Sequence, residues 1–230
     1  GDFNRDGKPD LAFAECCGGF DVEIGDIGVL LGAGNGQFTQ GFLRNSAPSE
    51  INPADLNKDG FSDLLFSYDG CHTPCRGLGY SENTRTNDFL FHQILVTDDG
   101  DRFSARAPIG VDADGDDSLD AAGPLRFLGN QLEHMNRDYV AVYRREPNGR
   151  FAAPMMYELG DFRGPAALVT ADFNRDGKPD LATANRESGT VSVLLNSPRA
   201  GTGLCAVPQD NSGGLSVCTP SNADTVSSPV

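Results

Sequence analysis

An all-β fold built from a repeated four-stranded antiparallel unit is what this 230-residue sequence predicts, and three observations carry the prediction. A short acidic loop recurs four times at nearly even spacing. Turns of the Asn-Gly or Asp-Gly kind, each ending in Phe, recur between the copies. The segments between turns are short and β-branched, aromatic or alternating in character, with no long helical period.

The acidic loop comes first in the chain. "DFNRDGKPD" starts at Asp2, "DLNKDGFSD" at Asp55, "DADGDDSLD" at Asp112 and "DFNRDGKPD" again at Asp172, so the copies are 53, 57 and 60 residues apart. The match between the first and last copies runs through eleven residues, "DFNRDGKPDLA". The second signal comprises "GNGQF" (Gly34 to Phe38), "DDGDRF" (Asp98 to Phe103) and "PNGRF" (Pro147 to Phe151), each about midway between two loops. Asn-Gly and Asp-Gly between extended segments are strong hairpin signals. The extended segments are "LAFA", "VLLG", "DLLFSY", "FLFHQILV", "DYVAVYRR", "DLATAN" and "VSVLLN". Each repeat therefore reads as a strand, the acidic loop, a strand, a variable connection, a strand, a turn and a last strand. Four-stranded units of this length are the blades of β-propellers, and one such sheet alone leaves both faces wet, so it must stack on a neighbour. About four blades are expected, a partial propeller, over residues 1–197. Beyond Ser197 the texture turns Gly-, Ser- and Pro-rich, and residues 198–230 read as a linker toward a downstream domain.

Composition narrows the function. Hydrophobic residues are 38% of the chain, Gly numbers 28, and the formal net charge is −15. That charge disfavours nucleic acid and anionic membrane surfaces and favours cations. No apolar run reaches the ~18 residues that cross a bilayer, so membrane insertion is not expected. Gly1 stands inside a motif, so the chain reads as a piece of something longer. Six cysteines form local pairs, Cys16 with Cys17, Cys71 with Cys75 and Cys205 with Cys218, a pattern of disulfides and an oxidising compartment rather than of a zinc knuckle. Three histidines, His72, His92 and His134, stand in no catalytic motif, and no G-x-S-x-G elbow occurs. His92, within an alternating segment, reads as a strand residue.

The loop itself carries chemistry. Oxygen-bearing side chains stand at positions one, three, five and nine, with Gly at six for a sharp turn. Hard oxygen donors converging at this spacing suit Ca²⁺, whereas Mg²⁺ demands a tighter octahedron. An EF-hand needs Glu at position twelve and flanking helices. Here Phe13, Phe66 and Thr183 stand at that place, and strands follow.

With "DLA" after the loop and "VLLGAGNGQF" or "VSVLLN" later, residues 1–197 resemble the FG-GAP and VCBS repeats, the blades of integrin α-subunit propellers and of many secreted bacterial proteins. The resemblance implies one Ca²⁺ per blade, three to four in total, held in the loop between the first two strands. Its ligands would be Asp2, Asn4, Asp6, the Lys8 carbonyl and Asp10 in the first loop. In the second they would be Asp55, Asn57, Asp59, the Phe61 carbonyl and Asp63. In the fourth they would be Asp172, Asn174, Asp176, the Lys178 carbonyl and Asp180. The third loop offers Asp112, Asp114, Asp116, Ser118 and Asp120, but Asp117 replaces the position-six glycine and "AAGPL" departs from "DLA" plus strand.

The resemblance further implies a calcium-binding, non-catalytic recognition or scaffold module of a secreted or cell-surface protein, serving adhesion or the binding of a protein or carbohydrate ligand. A lectin-like propeller is the alternative, weakened by the absence of Trp but keeping Tyr68, Tyr80 and Tyr143 as platforms. An accessory propeller of a secreted enzyme is another. An open array of blades is also expected to self-associate through exposed edges.

Overall fold

A computed structural model describes residues 1–14, 26–45, 48–69, 76–85, 88–97, 103–128, 136–161, 163–196 and 204–208. The chain divides into two compact units, Gly1–Gly110 and Val111–Val230. The described residues hold sixteen strands and no helix. The fold is all-β, made of antiparallel propeller-type blades.

In the first unit, the first sheet has the order β1 (Leu11–Ala14), β2 (Asp26–Gly32), β3 (Phe38–Asn45). The second has the order β4 (Pro48–Ala54), β5 (Asp63–Asp69), β6 (Arg76–Asn83), β7 (Phe89–Thr97). Two short strands, β8 (Phe103–Ala105) and β9 (Ile109–Val111), lie at the boundary between the units. In the second unit, β10 (Asp120–Leu128), β11 (Asn136–Tyr143) and β12 (Met155–Asp161) pair in sequence. The last sheet has the order β13 (Pro165–Ala171), β14 (Asp180–Asn185), β15 (Thr190–Asn196), β16 (Leu204–Pro208).

The four blades share one register. The residue after each acidic loop pairs two places before a fixed position on the next strand: Leu11 with Leu30, Leu64 with Ser81, Ala121 with Tyr143 and Leu181 with Leu194. Side chains alternate faces along a strand, so equal register puts equivalent positions on the same face of every blade.

In the first unit, Ile27 and Val29 of the first sheet meet Leu64, Phe66 and Tyr68 of the second, with Phe3 and Phe89 closing the cluster. The Phe3 and Phe89 rings meet edge to face at 6.3 Å. Burying each such side chain contributes ~1.5–3 kcal/mol, which a single two-faced sheet could not gain. The second unit repeats this with Val140, Val142, Leu168, Leu181 and Leu194 buried.

Four expectations need correction. The turn between the third and fourth strands of the second sheet is Thr84–Asp88, closed by Thr84 N–H to Asp88 O at 2.9 Å. Asp98–Phe103 follows the fourth strand instead, with Asp98–Arg102 outside the described residues. "AAGPL" is not a break but the body of β10, where Ala121 and Ala122 are fully buried and small residues suit a strand packed on both sides. Third, Tyr68, Tyr80 and Tyr143 are core residues, not platforms on a groove. The last sheet also runs past residue 197, since β16 adds to β15 within the stretch read as linker. All six cysteine side chains, with His72 and His134, lie outside the described residues. His92 is in β7, stacked on Tyr80 at 4.5 Å, with Nε2 3.1 Å from Glu82 Oε2.

Candidate metal centre

The first, second and fourth acidic loops are built by the same local hydrogen bonds, and the third by a close variant of them. In the first, Asp2 accepts from the N–H of Asp6 (3.2 Å) and of Gly7 (3.0 Å), Asn4 accepts from Asp6 N–H (3.0 Å), and Asp6 accepts from Lys8 N–H (2.9 Å). The second loop repeats this with Asp55, Asn57 and Asp59 receiving the N–H groups of Asp59, Gly60 and Phe61. The fourth repeats it with Asp172, Asn174 and Asp176 receiving those of Asp176, Gly177 and Lys178. These are Asx turns, in which a short side chain takes up backbone donors two or more residues on.

Two residues in every loop are left-handed, at positions four and six. They are Arg5 (φ 58°) and Gly7 (79°), Lys58 (56°) and Gly60 (83°), and Arg175 (63°) and Gly177 (84°). The third loop resolves its apparent defect here. Asp117 at position six takes φ 66°, and the glycine has moved to position four, Gly115 at φ 80°. Asp tolerates left-handed geometry better than most side chains, so each loop still has one glycine for its two strained places. Its bonds follow suit: Gly115 and Asp117 N–H donate to Asp112, Asp116 N–H to Asp114, and Ser118 N–H to Asp116.

Position nine is different from the other acids. Asp10, Asp63, Asp120 and Asp180 are all buried. One oxygen accepts from the loop's own position-two N–H: Phe3 (2.7 Å), Leu56 (3.0 Å), Ala113 (3.1 Å) or Phe173 (2.9 Å). The other accepts from the end of the third strand or just beyond it: Gly32 (2.8 Å), Asn83 (2.8 Å), Arg145 (2.7 Å) or Asn196 (2.7 Å). Position nine thus clamps loop to hairpin. Burial pushes the Asp63 and Asp120 carboxyls up to about 6, against the pull of these backbone donors.

A second link joins neighbouring loops within each unit. Asn83 Nδ2 donates to Phe3 O at 2.8 Å, and Asn196 Nδ2 donates to Ala113 O at 2.9 Å. A continuous hydrogen-bonded path therefore runs from one position-nine carboxylate to the next, through Asn83 and Phe3 or through Asn196 and Ala113. The equivalent place in the first sheet is Gly32, where a Cβ would stand 2.1 Å from Pro9 O, so no asparagine fits there.

Residues of this chain belong to a known repeat class. The sequence profile of the FG-GAP-like repeat matches residues 2–66 and 128–183, over half the chain. The chain belongs to the FG-GAP repeat family. No curated protein matches it.

In the first, second and fourth loops the side chains at positions one and three converge on the N–H of position five, and this end of the loop is its mouth. In the third loop, ligand oxygens of Asp112, Asp114 and Asp116 lie within 4.8 Å of one another. Asp120 is not in that group; its place is the clamp just described. The mouths draw cations from the chain itself. Lys8 Nζ lies 3.5 Å from Asp6, Arg85 Nε 2.8 Å from Asp59, and Arg144 Nη1 3.7 Å from Asp114. The N–H of Lys8, with Asn4 and the Lys8 ammonium, holds Asp6 below the usual carboxylate range. At Asp59 burial pushes the carboxyl up, but the Phe61 N–H and Arg85 more than offset it. The loops are hard-oxygen cradles whose backbone is shaped by their own Asx turns. The chain's sequence signalled their donors. It gave no signal for the Asn83 and Asn196 links, whose partners are 80 and 83 residues away.

Proposed function

We propose that the chain is a calcium-stabilised, non-catalytic recognition or scaffold module of a secreted or cell-surface protein, with a protein or carbohydrate ligand. The observation that carries this is the fourfold recurrence of one loop, with acids or Asn at positions one, three and five around a common mouth. The donor set fits the ion: every side chain offered is a carboxylate or amide oxygen, the type that Ca²⁺ takes at 2.3–2.6 Å. Asp2, Asn4 and Asp6, with the Lys8 carbonyl and Asp10, would hold the first ion, and the equivalent residues the others. Spare lone pairs on the position-nine carboxylate remain for a metal, since each oxygen accepts one N–H. Bound Ca²⁺ supplies charge neutralisation. The chain's own residues supply shape, through the Asx turns and the buried clamp. FG-GAP repeats are typical of extracellular proteins and often bind calcium, which supports both halves of the reading.

Calorimetric titration of chelator-stripped protein with Ca²⁺, with thermal melts at each end, tests it. Three or four sites and a higher Tm are expected, because a ligand bound only by the folded state stabilises by mass action. No heat and an unchanged Tm at millimolar Ca²⁺ would mean that the loops are turns only.

A further inference from the structure

The shared register singles out one place on the third strand of each blade, the residue just before the donor that reaches the position-nine carboxylate. It is Leu31, Glu82, Arg144 and Leu195 in chain order. Two of the four are apolar. The other two carry charges of opposite sign.

Where this residue is charged, it meets the position-three side chain of its own loop. Glu82 Oε1 accepts from Asn57 Nδ2 at 3.1 Å. Arg144 Nη1 lies 3.7 Å from Asp114 Oδ2. Position three is Asn in the first, second and fourth loops and Asp in the third. Asn with Leu is neutral, Asp114 with Arg144 cancels, and only Asn57 with Glu82 leaves a net negative charge.

The two contacts act in opposite directions. Asn57 Nδ2 is taken up by Glu82 and by Asp59 Oδ2, which turns Oδ1 inward to the N–H of Asp59 at 3.1 Å. Glu82 thus orients a metal-ligating oxygen and adds a carboxylate behind it. Its other oxygen, 3.1 Å from His92 Nε2, holds the side chain in place. Arg144 instead sets a resident cation on Asp114, where an incoming ion would meet its repulsion. Groups standing behind metal ligands orient and tune them in this way.

We propose that this third-strand residue sets the cation affinity of its own loop, Glu82 raising that of the second and Arg144 lowering that of the third. The proposal rests on the calcium reading of the loops and assigns each its own strength. A unit charge ~7 Å from a divalent ion, in water-like surroundings and ordinary salt, changes its affinity by about threefold to tenfold. Arg85, on Asp59, is common to the unaltered chain and the variants and drops out of the comparison.

The leucines of the first and last blades supply the substitution for the test. Isotope-labelled chain is titrated with chelator-buffered Ca²⁺ and followed by heteronuclear NMR. The amides of Gly60, Gly115 and Gly177 donate to Asp55, Asp112 and Asp172, so they report the second, third and fourth loops separately. Glu82→Leu is expected to weaken binding at Gly60 by about threefold to tenfold, and Glu82→Gln, which keeps an oxygen for Asn57 without the charge, to weaken it as well. Arg144→Leu is expected to tighten binding at Gly115 by a similar factor, while Arg144→Lys leaves it near its starting value. The Gly177 midpoint stays put throughout, and every shift shrinks as salt rises. Glu82 and Arg144 are each about a third exposed or more, so neither change opens the core. Unmoved midpoints at Gly60 and Gly115 in variants whose fourth loop still binds overturn this proposal and leave the metal reading standing. A Gly177 shift as large as that of the altered loop also overturns it, since the effect is then not local. An unaltered chain in which no amide responds to millimolar Ca²⁺ overturns both.

Discussion

Asp2–Ala12 and Asp172–Ala182 are the same eleven residues in two places, and they differ in almost nothing except what is buried. Both make the same Asx turns, both bend left-handed at Arg and Gly, and both bury the closing Asp. Yet Phe3 is buried and Phe173 exposed, while Leu11 is exposed and Leu181 buried. The loop's shape is thus a local property, fixed by side chains bonding their own backbone. Its burial is a neighbour's property, decided by which sheet lies on which side.

The comparison breaks most visibly at position nine. Asp180→Ala leaves one buried N–H (Asn196) and one part-buried N–H (Phe173) without acceptors, each bond to a charged acceptor being worth ~1.5–3 kcal/mol, so a loss of about 4 kcal/mol is expected in urea denaturation. If the loop is local, Asp10→Ala costs a similar amount. A cost under about 1 kcal/mol at either site would show that the clamp is incidental.

Burial should give the reverse, an asymmetry between identical residues. Phe3→Ala and Leu181→Ala are expected to lose about 3 kcal/mol each, as core truncations do. Phe173→Ala and Leu11→Ala should lose less than about 0.5 kcal/mol in the dilute chain. Equal losses at the two members of a pair would contradict the assigned burial. Asn83→Ala and Asn196→Ala sharpen the same contrast. Each breaks one link between neighbouring loops, with an expected loss of about 2 kcal/mol that is additive between the units.

The strand patterns were legible in the sequence because they depend on alternation: "DLATAN" coincides with β14 and "VSVLLN" lies in β15. The loop donors were legible because Asp, Asn and Gly have few other reasons to recur in that order. The turn at Thr84–Asp88 was not, since it lacks Asn-Gly and places Arg85 at φ 65° instead. The third loop looked defective because position six was read alone. Only the backbone reveals that position four is also left-handed and that Gly115 serves there. The double role of position nine was hidden because a sequence shows a carboxylate, not which donors reach it from 20 residues away.

The smallest expected effect concerns the sheets of the second unit. Arg126 bridges buried Asp138 (2.8 Å) and half-exposed Glu187 (2.6 Å). Its hydrogen bonds hold the Glu187 carboxyl below the ordinary glutamate value. A depressed folded value means that the contribution is present above the ordinary range and lost as pH falls through the folded one. Glu187→Gln should therefore flatten the acid limb of the stability profile, by less than about 1 kcal/mol for a partly exposed pair. The first unit, which lacks these residues, provides the control through Leu64→Ala.

The position-nine clamp separates two properties usually taken together, exposure of a loop and exchange of its amide protons with solvent. The amides of Phe3, Gly32, Leu56, Asn83, Ala113, Arg145, Phe173 and Asn196 all end on these four carboxylates. Release of any one requires the loop and its hairpin to part, a sub-global opening rather than a local flicker. In deuterated water these eight positions form slow islands among fast neighbours. Each island reports when its blade, rather than its loop, comes open.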